Sequence, residues 1–275
     1  MRNEKLFVSL WANMEYTLNV HGFLMDLGVP QVMGILNVTP DSFYAGSRMQ
    51  TEEDIAVRCR QIASEGGAII DVGGCSTRPG AEVASEAEEM ERLRLAMAVV
   101  RRELPSAVVS VDTFRPDVAR MVVEEFGADM INDVSEGSPE MFRMVARLGV
   151  PYILMSVQPT MRETLLTFAQ KVQQLRDFGA KDIILDPGFG FGKTLEQNYL
   201  MMNSLEQSQV MELPVLVGVS RKSMIYKKFN CTPDASLNGT TALNTIALLK
   251  GASILRVHDV REAVECVQIV NQLKS

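Results

Sequence analysis

The chain has 275 residues, of which 47% are hydrophobic, enough for a large buried core and too many for a disordered chain. Its net charge of −7 argues against general nucleic-acid binding and a polybasic membrane anchor, and no apolar run approaches the roughly 20 residues of a membrane span. Four cysteines without CxxC spacing and only two histidines argue against a disulfide scaffold and a zinc cluster, so we expect a cytoplasmic protein with reduced thiols.

Residues 1–30 alternate weakly between apolar and polar side chains, most clearly over residues 16–20. Such alternation is typical of strands with one buried face. We therefore expect a β-hairpin ahead of the main body of the domain.

From residue 30 onward, eight short apolar runs recur at similar intervals, with helix-like stretches between them. The runs end at residues 37–39, 71–74, 111–113, 131–133, 154–156, 185–188, 219–222 and 256–258. Eight alternating strand and helix units predict an α/β fold, a (β/α)8 TIM barrel in a single domain over residues 1–275, with the hairpin plugging its bottom. In this fold the carboxyl ends of all strands open into one mouth, which collects scattered polar residues into a single site.

The segments between the strands carry helix and loop signals. Helices are predicted over residues 52–65, 84–103, 115–126, 139–148 and 162–178, with Thr51 as the first N-cap. Gly127, Gly149 and Gly179 lie where helix-ending glycines are common. The connections at residues 44–50 and 73–84 are unusually long for βα loops and are expected to act as lids.

Asp112, Asn132 and Asp186 end three of the predicted strands, so their side chains are expected to meet. Two carboxylates and an amide suit the N–H-rich edge of a flat heterocycle such as a 2-amino-4-oxopyrimidine. A single Asp at such a position is more often a helix cap, but three such residues favour a binding site. Asn37 also ends a strand, where its amide suits a hard cation or an anion, and a simple Asx turn is an equally good interpretation.

The glycine-rich segment 186–194 is similar to a phosphate-binding loop but fails both standard patterns. Pro187 occupies a required glycine of the Walker A pattern, and Lys193 occupies the last glycine of the dinucleotide pattern. A loop whose Phe189 and Phe191 pack on a flat aromatic substrate is the better interpretation. A rigid glycine turn with one phenylalanine in the core is the simpler alternative.

Basic residues follow the last two predicted strands, where barrels often bind phosphate. Residues 220–223 follow the seventh strand, and Arg256 and His258 share one face of the eighth, so together they suit a diphosphate. Cys75 follows the second strand. A nucleophilic thiolate is not expected there, because the only suitably placed histidine, His258, lies many strands away.

Together these blocks resemble the dihydropteroate synthase family, the folate-pathway enzymes that sulfonamides inhibit. The resemblance covers roughly residues 30–275, and its blocks, in family order, are residues 33–43, 71–74 with 76–80, 110–113, 131–133, 185–193, 220–223 and 256–259. It implies a transferase that joins p-aminobenzoate to 6-hydroxymethyl-7,8-dihydropterin diphosphate by cation-like C–O cleavage, with Mg2+ as cofactor. It also implies a homodimer.

The resemblance assigns roles to individual residues. The residues implied to hold the pterin are Asp112, Asn132, Met155, Asp186, Gly218, Lys222 and Arg256. Those implied to hold the diphosphate are Asn37, Arg256 and His258, with Asn37 also reaching the metal. Those implied to form the aminobenzoate pocket are Thr77, Arg78, Pro79, Phe191, Lys222 and Ser223. The expected catalytic residues are Asp112, Lys222, Arg256 and His258.

The chain departs from the family pattern at Ala45, where an acid is usual, at Cys75, where an acid or aromatic residue is usual, and at Ser156, where histidine is frequent. Ala45 affects mainly the first lid, which is expected to close over the cation formed by C–O cleavage. Two other functions stay open. Residues 77–79 and 220–223 argue against a methyltetrahydrofolate–corrinoid methyltransferase, whereas Ala45 and Ser156 leave room for a non-catalytic pterin-binding paralogue.

Overall fold

A small antiparallel sheet precedes an eight-stranded parallel sheet in this chain. The structure is a computed structural model that describes residues 16–38, 52–75 and 83–274. The strands are Thr17–Val20 (β1), Phe23–Asp26 (β2), Gln31–Asn37 (β3), Ile69–Gly73 (β4), Val108–Asp112 (β5), Met130–Asp133 (β6), Tyr152–Met155 (β7), Ile183–Asp186 (β8), Leu216–Val217 (β9) and Ile254–Val257 (β10).

Helices connect the parallel strands. They are Glu52–Ser64 (α1), Glu86–Glu103 (α2), Pro116–Phe126 (α3), Pro139–Leu148 (α4), Met161–Asp177 (α5), Leu195–Asn203 (α6), Ser223–Phe229 (α7), Leu237–Leu249 (α8) and Val260–Lys274 (α9), with short 3-10 helices at Leu205–Met211 and Asp234–Ser236. None of the helices in the described part of the chain combines the length and apolarity needed to cross a membrane.

The parallel strands close into a barrel. They pair in the order β8-β7-β6-β5-β4-β3-β10-β9. A further parallel bridge between Leu185 and Val215 joins β8 to the start of β9 and nearly completes the ring. The predicted TIM barrel is therefore confirmed, and the carboxyl ends of its strands lie together at one end, the mouth.

The five predicted helices α1 to α5 agree with the structure to within two residues at each end. The largest difference is at α2, which begins later than predicted because Ser85 caps it. Ser85 Oγ accepts from the Glu88 N–H at 3.3 Å, and the Glu88 carboxylate accepts from the Ser85 N–H at 2.8 Å. Gly127 and Gly149 end α3 and α4 in the left-handed conformation, as predicted. The predicted cap Thr51 lies outside the described residues.

The β1–β2 hairpin covers the amino-terminal end of the barrel. His21 and Gly22 form its two-residue turn with φ of 48° and 82°, a geometry that suits the twist of paired strands. The buried residues that form one apolar cluster are Leu18, Val20, Met25 and Leu27 from the hairpin segment and Met33, Ile69, Met130, Ile153, Ile184, Leu216 and Ile254 from the barrel. The hairpin thus plugs the bottom of the barrel as predicted, and residues 1–15 of the predicted segment lie outside the described residues.

The barrel lumen changes from apolar at the bottom to charged at the top. On β4, Ile69 packs in the cluster with the hairpin, whereas Asp71, two residues further along, faces the same side because side chains alternate along a strand. The apolar lower half stabilises the ring of strands that carries the charged upper half.

We predict that Leu18→Ala lowers the free energy of unfolding by about 2–5 kcal/mol, because Leu18 is fully buried in the plug and its loss leaves a cavity. Urea denaturation would measure this. Leu24 lies in the same hairpin and is 62% exposed, so Leu24→Ala is the matched control, with an expected change within about 0.5 kcal/mol. Equally small losses in both variants would show that the plug adds nothing to the barrel's stability.

Candidate active site

One arginine on the last barrel strand joins acids from two other strands. Arg256 on β10 donates from Nε to Asp71 Oδ2 at 2.6 Å and from Nη2 to Asp112 Oδ2 at 3.0 Å. Asn132 on β6 donates from Nδ2 to the same Asp71 oxygen at 3.1 Å. These four residues, which we call the arginine cluster, tie β4, β5, β6 and β10 together across the lumen.

Two acceptor oxygens of the arginine cluster lack a partner. Oδ1 of Asp71 and Oδ1 of Asn132 are buried and have no hydrogen-bond donor among the described residues. Leaving a buried acceptor unsatisfied costs about 1–3 kcal/mol. A ligand with several N–H groups is the chemistry that would satisfy such acceptors.

The single guanidinium of the cluster serves two carboxylates, so their charge is incompletely balanced. Burial raises the pKa of Asp112 to about 7; the Arg256 charge opposes the rise and the Asp71 charge adds to it. Burial therefore favours the protonated form of Asp112, and one guanidinium shared with Asp71 does not fully offset that effect.

Asp186, at the end of β8, and Lys222, after β9, are oppositely charged and shift each other's pKa without a direct ion-pair contact. Burial raises the pKa of Asp186, while the Lys222 ammonium and the Gly188 N–H, which donates to Asp186 Oδ1 at 2.8 Å, oppose the rise. Burial lowers the pKa of Lys222 to about 8, and the Asp186 charge opposes that change. Lys222 is therefore a half-buried cation at pH 7 that loses its proton only slightly above neutral pH.

The loop after β8 wraps around the Lys222 side chain. Lys222 Nζ donates to the Phe189 carbonyl and lies 4.5 Å from the centroid of the Phe191 ring. A Cβ on Gly190 would lie 2.9 Å from Lys222 Cδ, so the close approach requires glycine. Phe189 is fully buried in the core, so the prediction that both rings face a substrate is wrong for Phe189, and Phe191 is the half-buried ring of the pair.

His258 follows β10 and is held on two sides. Ser220 Oγ lies 3.1 Å from His258 Nδ1 and accepts from the His258 backbone N–H at 3.1 Å, while Arg58 Nη2 donates to the His258 carbonyl at 2.6 Å. Burial, followed by the charges of Arg256 and Arg221, lowers the pKa of His258 to about 3. His258 is therefore neutral at pH 7 and would meet an anion as an N–H donor.

Arg221, next to Lys222, points away from the arginine cluster. Its guanidinium forms a bidentate ion pair with Asp259, with N–O distances of 2.6 and 3.1 Å, and a second ion pair with Asp234 at 2.7 Å. The backbone at Arg221 is left-handed, with φ of 55°, and this turn precedes Lys222. Arg221 therefore shapes the loop, and Lys222 supplies the cation of this segment.

Asn37 ends β3 opposite Gly73 of β4. Its Oδ1 lies 3.2 Å from the point that a Cβ on Gly73 would occupy, so the glycine leaves room for the amide at the mouth. Within the described ranges, no group of three or more His, Cys, Asp or Glu side chains could hold a metal ion. From these residues alone, a divalent ion beside Asn37 would need further oxygens from a bound ligand.

Known proteins are similar to this chain in sequence and fold. The family model described as pterin binding enzyme matches residues 33–258. Dihydropteroate synthase from Escherichia coli (strain K12) is 39% identical over 269 residues, covering 92% of this chain and 95% of that protein. This chain belongs to the dihydropteroate synthase family of pterin-binding enzymes. The Clostridium beijerinckii dihydropteroate synthase is 40% identical over 243 residues, covering 84% of this chain and 89% of its own.

Solved dihydropteroate synthases have the same architecture. The Xanthomonas albilineans enzyme with 4-aminobenzoic acid has a TM-score of 0.89 at 33% identity, covering 95% of this chain and 99% of that one. The Yersinia pestis enzyme with a sulfonamide drug has a TM-score of 0.88 at 36% identity, covering 94% and 99%. The similarity therefore extends over almost the whole barrel.

Further residues that the dihydropteroate synthase resemblance singled out lie beside these groups. Met155 ends β7 and is fully buried. The point that a Cβ on Gly218 would occupy lies 3.7 Å from Arg256 Cβ and 3.9 Å from Lys222 Nζ, so Gly218 lies beside both residues. Ser223 opens α7 directly after Lys222.

Several predicted features lie outside the described residues. They are Thr77, Arg78 and Pro79 of the aminobenzoate pocket, Ala45, the predicted first lid at residues 44–50 and residues 76–82 of the second. Cys75, at the edge of the second lid, is buried, and burial raises the pKa of its thiol. A protonated thiol is a poor nucleophile, as expected for a site without covalent catalysis.

Asp71 belongs to the arginine cluster although no role was predicted for it from the sequence. The sequence does contain a sign of its importance, because Asp71 is the one acid within the otherwise apolar run of β4. A carboxylate inside a buried strand requires a partner. The sequence alone does not say that Arg256, 185 positions away, is that partner.

We predict that Asp71→Asn lowers the pKa of Asp112 below its value of about 7, because the Asp71 charge is one of the causes that raise it. Carbon-13 NMR of labelled aspartate carboxyl groups, followed against pH, would measure the shift. Asp117→Asn removes the same charge from the exposed first turn of α3 and should leave Asp112 unchanged. An Asp112 titration that does not move in Asp71→Asn would contradict the shared-arginine geometry.

Proposed function

We propose that this enzyme joins 6-hydroxymethyl-7,8-dihydropterin diphosphate to p-aminobenzoate and releases 7,8-dihydropteroate and diphosphate, a transferase step of folate biosynthesis. The observation that carries the proposal is the arginine cluster together with Asp186 and Lys222, which brings buried acceptors and cations to one mouth. The sequence match to dihydropteroate synthases over most of the chain supports it.

The acceptors bind the pterin ring. Asp112, Asn132 and Asp186 offer oxygens to the 2-amino and ring N–H groups, and the free Asn132 Oδ1 gains a donor. Lys222 donates to a ring oxygen or nitrogen. Gly218, which lies beside Lys222 and Arg256, contacts the flat ring in the proposal.

The diphosphate lies at the end of β10. Arg256 has N–H donors beyond the two that bind Asp71 and Asp112, and neutral His258 adds an uncharged donor. A bound diphosphate favours the protonated imidazole, so its arrival raises the pKa of His258. Charge that develops on the departing group is thereby met by groups already in position.

Mg2+ fits the described donors, because this ion prefers oxygen ligands and usually combines one or two protein groups with substrate phosphates and water. Asn37 would hold it through Oδ1 together with diphosphate oxygens. When bound, the ion supplies positive charge against the departing diphosphate.

The aminobenzoate lies against the loop after β8. Phe191 presents its ring at the mouth, with Lys222 held against it, and the Ser223 hydroxyl follows directly in the chain. Thr77, Arg78 and Pro79 of the second lid complete this pocket in the proposal. Because the pocket forms above the pterin, we expect pterin diphosphate to bind first.

The reaction needs no covalent enzyme intermediate. The C–O bond to diphosphate breaks and its electron pair leaves with the diphosphate oxygen. The electron-rich dihydropterin stabilises the resulting methylene cation, and this positive charge favours the ionised form of Asp112, whose pKa is otherwise about 7, so that the carboxylate adds negative charge beside it. The amine nitrogen then forms the C–N bond with its lone pair and releases a proton to solvent.

A homodimer in the cytoplasm is part of the same proposal. Exposed apolar side chains on the last helices, Ile246 on α8 and Ile269 and Leu273 on α9, support an interface between two copies. Light scattering coupled to size exclusion would measure the mass in solution.

An assay with both substrates and Mg2+ tests the activity directly. We expect stoichiometric formation of dihydropteroate and diphosphate, with no pterin adduct at Cys75 in the intact mass. Methyl transfer to a corrinoid protein without diphosphate release would establish the methyltransferase instead. Tight pterin diphosphate binding without turnover would establish the non-catalytic paralogue that Ala45 and Ser156 leave open.

We predict that Asp186→Ala weakens pterin binding at least about tenfold in calorimetry, because it removes a charge-assisted hydrogen bond of about 1.5–3 kcal/mol. Asp177→Ala, at the exposed end of α5, removes the same charge and should leave the affinity unchanged. A folded Asp186→Ala protein with unaltered affinity would remove Asp186 from the pterin site.

A further inference from the structure

The loop after β6 holds a glutamate in an unusual backbone conformation. Glu136 has φ of 71° and is followed by Gly137 with φ of 72°, in the region that L side chains rarely adopt. A Cβ on Gly137 would overlap the Phe142 ring and lie 2.7 Å from Tyr152 Oη, so this position of the turn requires glycine. Lys171 on α5 donates to the Glu136 carbonyl and helps to hold the turn.

The Glu136 side chain receives donors from the loop after β7. Its Oε1 accepts from the Val157 backbone N–H at 3.0 Å, from Ser156 Oγ at 3.3 Å and from Gln158 Nε2 at 3.4 Å. Ser156 is fully buried, so its hydroxyl depends on such a partner. One carboxylate oxygen therefore positions the start of this loop.

The loop after β7 in turn holds the loop after β8 through a lysine. Lys193 Nζ donates to the carbonyl oxygens of Ser156 at 3.1 Å, Gly188 at 3.0 Å and Phe191 at 3.4 Å. A Cβ on Gly188 would lie 2.0 Å from the Ser156 oxygen, so the two loops are in direct contact here. Lys193 thus connects the segment that carries the Phe191 ring to the loop after β7.

The Lys193 ammonium donates to three carbonyl groups, and the negative charges of Asp186 and Glu136 act on it from a longer distance. Burial lowers its pKa to about 8, and the charges of Asp186 and Glu136 oppose this change. Lys222 is the other cation whose charge acts within this group. Loss of the Glu136 charge therefore favours neutral Lys193, which has one donor fewer for its three carbonyls.

We propose that Glu136 is a positioning residue for the aminobenzoate half of the site, acting through Ser156 and Lys193 on Phe191. The inference rests on the proposed function, in which Phe191 flanks the aminobenzoate. Glu136 contacts neither substrate. It positions the loop after β7, which in turn holds the loop that carries Phe191. In this chain the pair Glu136 and Ser156 joins the two loops at the position where the family pattern often has a histidine.

Steady-state kinetics with both substrates test the inference. Glu136→Ala is expected to raise KM for p-aminobenzoate about tenfold, the effect of one lost charged hydrogen bond, while KM for pterin diphosphate stays within about twofold. E136Q keeps an acceptor for Val157 and Ser156 and should recover most of that loss. Glu140→Ala, an exposed acid in the first turn of α4, is the matched control and should change neither constant.

Acetylation of Lys193 by limiting acetic anhydride, followed by peptide mass spectrometry, gives a readout independent of activity. E136Q is expected to shift the pH dependence of Lys193 acetylation to lower pH, because loss of the nearby negative charge lowers the pKa of Lys193. This measurement tests the inference even if Glu136→Ala fails to fold. An unchanged aminobenzoate KM, equal rises for both substrates or an unmoved Lys193 profile would each overturn the inference. A protein that makes no dihydropteroate would refute the proposed function alone, since the acetylation profile still tests the link between Glu136 and Lys193.

Discussion

The upper half of this barrel depends on one arginine that two acids share. Arg256 reaches from β10 to Asp71 on β4 and Asp112 on β5, and Asn132 on β6 binds the same Asp71 oxygen. Removing one partner of a buried ion pair typically costs about 3–5 kcal/mol, because the remaining charge stays buried. The cluster therefore both links four strands and presents a preorganised set of charges. Burial, opposed by the Arg256 charge, raises the pKa of Asp112 to about 7.

The barrel separates stability from chemistry along its axis. The lower lumen is an apolar cluster closed by the hairpin, and it contains none of the charged residues of the mouth. The upper end carries features that cost free energy, including the unsatisfied oxygens of Asp71 and Asn132 and the left-handed backbone at Glu136 and Arg221. Such strain persists because the packed lower half and the closed ring of strands hold the loops in place.

Hydrogen bonds from two lysines also connect the loops at the mouth to one another. Lys193 binds carbonyls of the β7 and β8 loops, and Lys222 binds the Phe189 carbonyl of the β8 loop. Carbonyl dipoles stabilise both ammonium groups, although burial brings the pKa of each to about 8. The segment that carries Phe191 is thereby connected to the loop after β7 through Lys193 and to the start of α7 through Lys222.

The sequence by itself determined the features that depend on local pattern. The alternating apolar runs predicted the barrel, the glycines after α3 and α4 marked the helix ends, and Asp112, Asn132 and Asp186 could be assigned to strand ends because strand periodicity is short-range. Only the tertiary structure decided which groups meet. The register of the barrel strands brings Asp71 to Arg256 and Glu136 to the β7 loop. Phe189 packs in the core while Phe191 does not, and burial keeps His258 neutral. Contacts between distant segments and the loss of water around a charge arise only when the whole ring closes, so no local pattern in the chain encodes them.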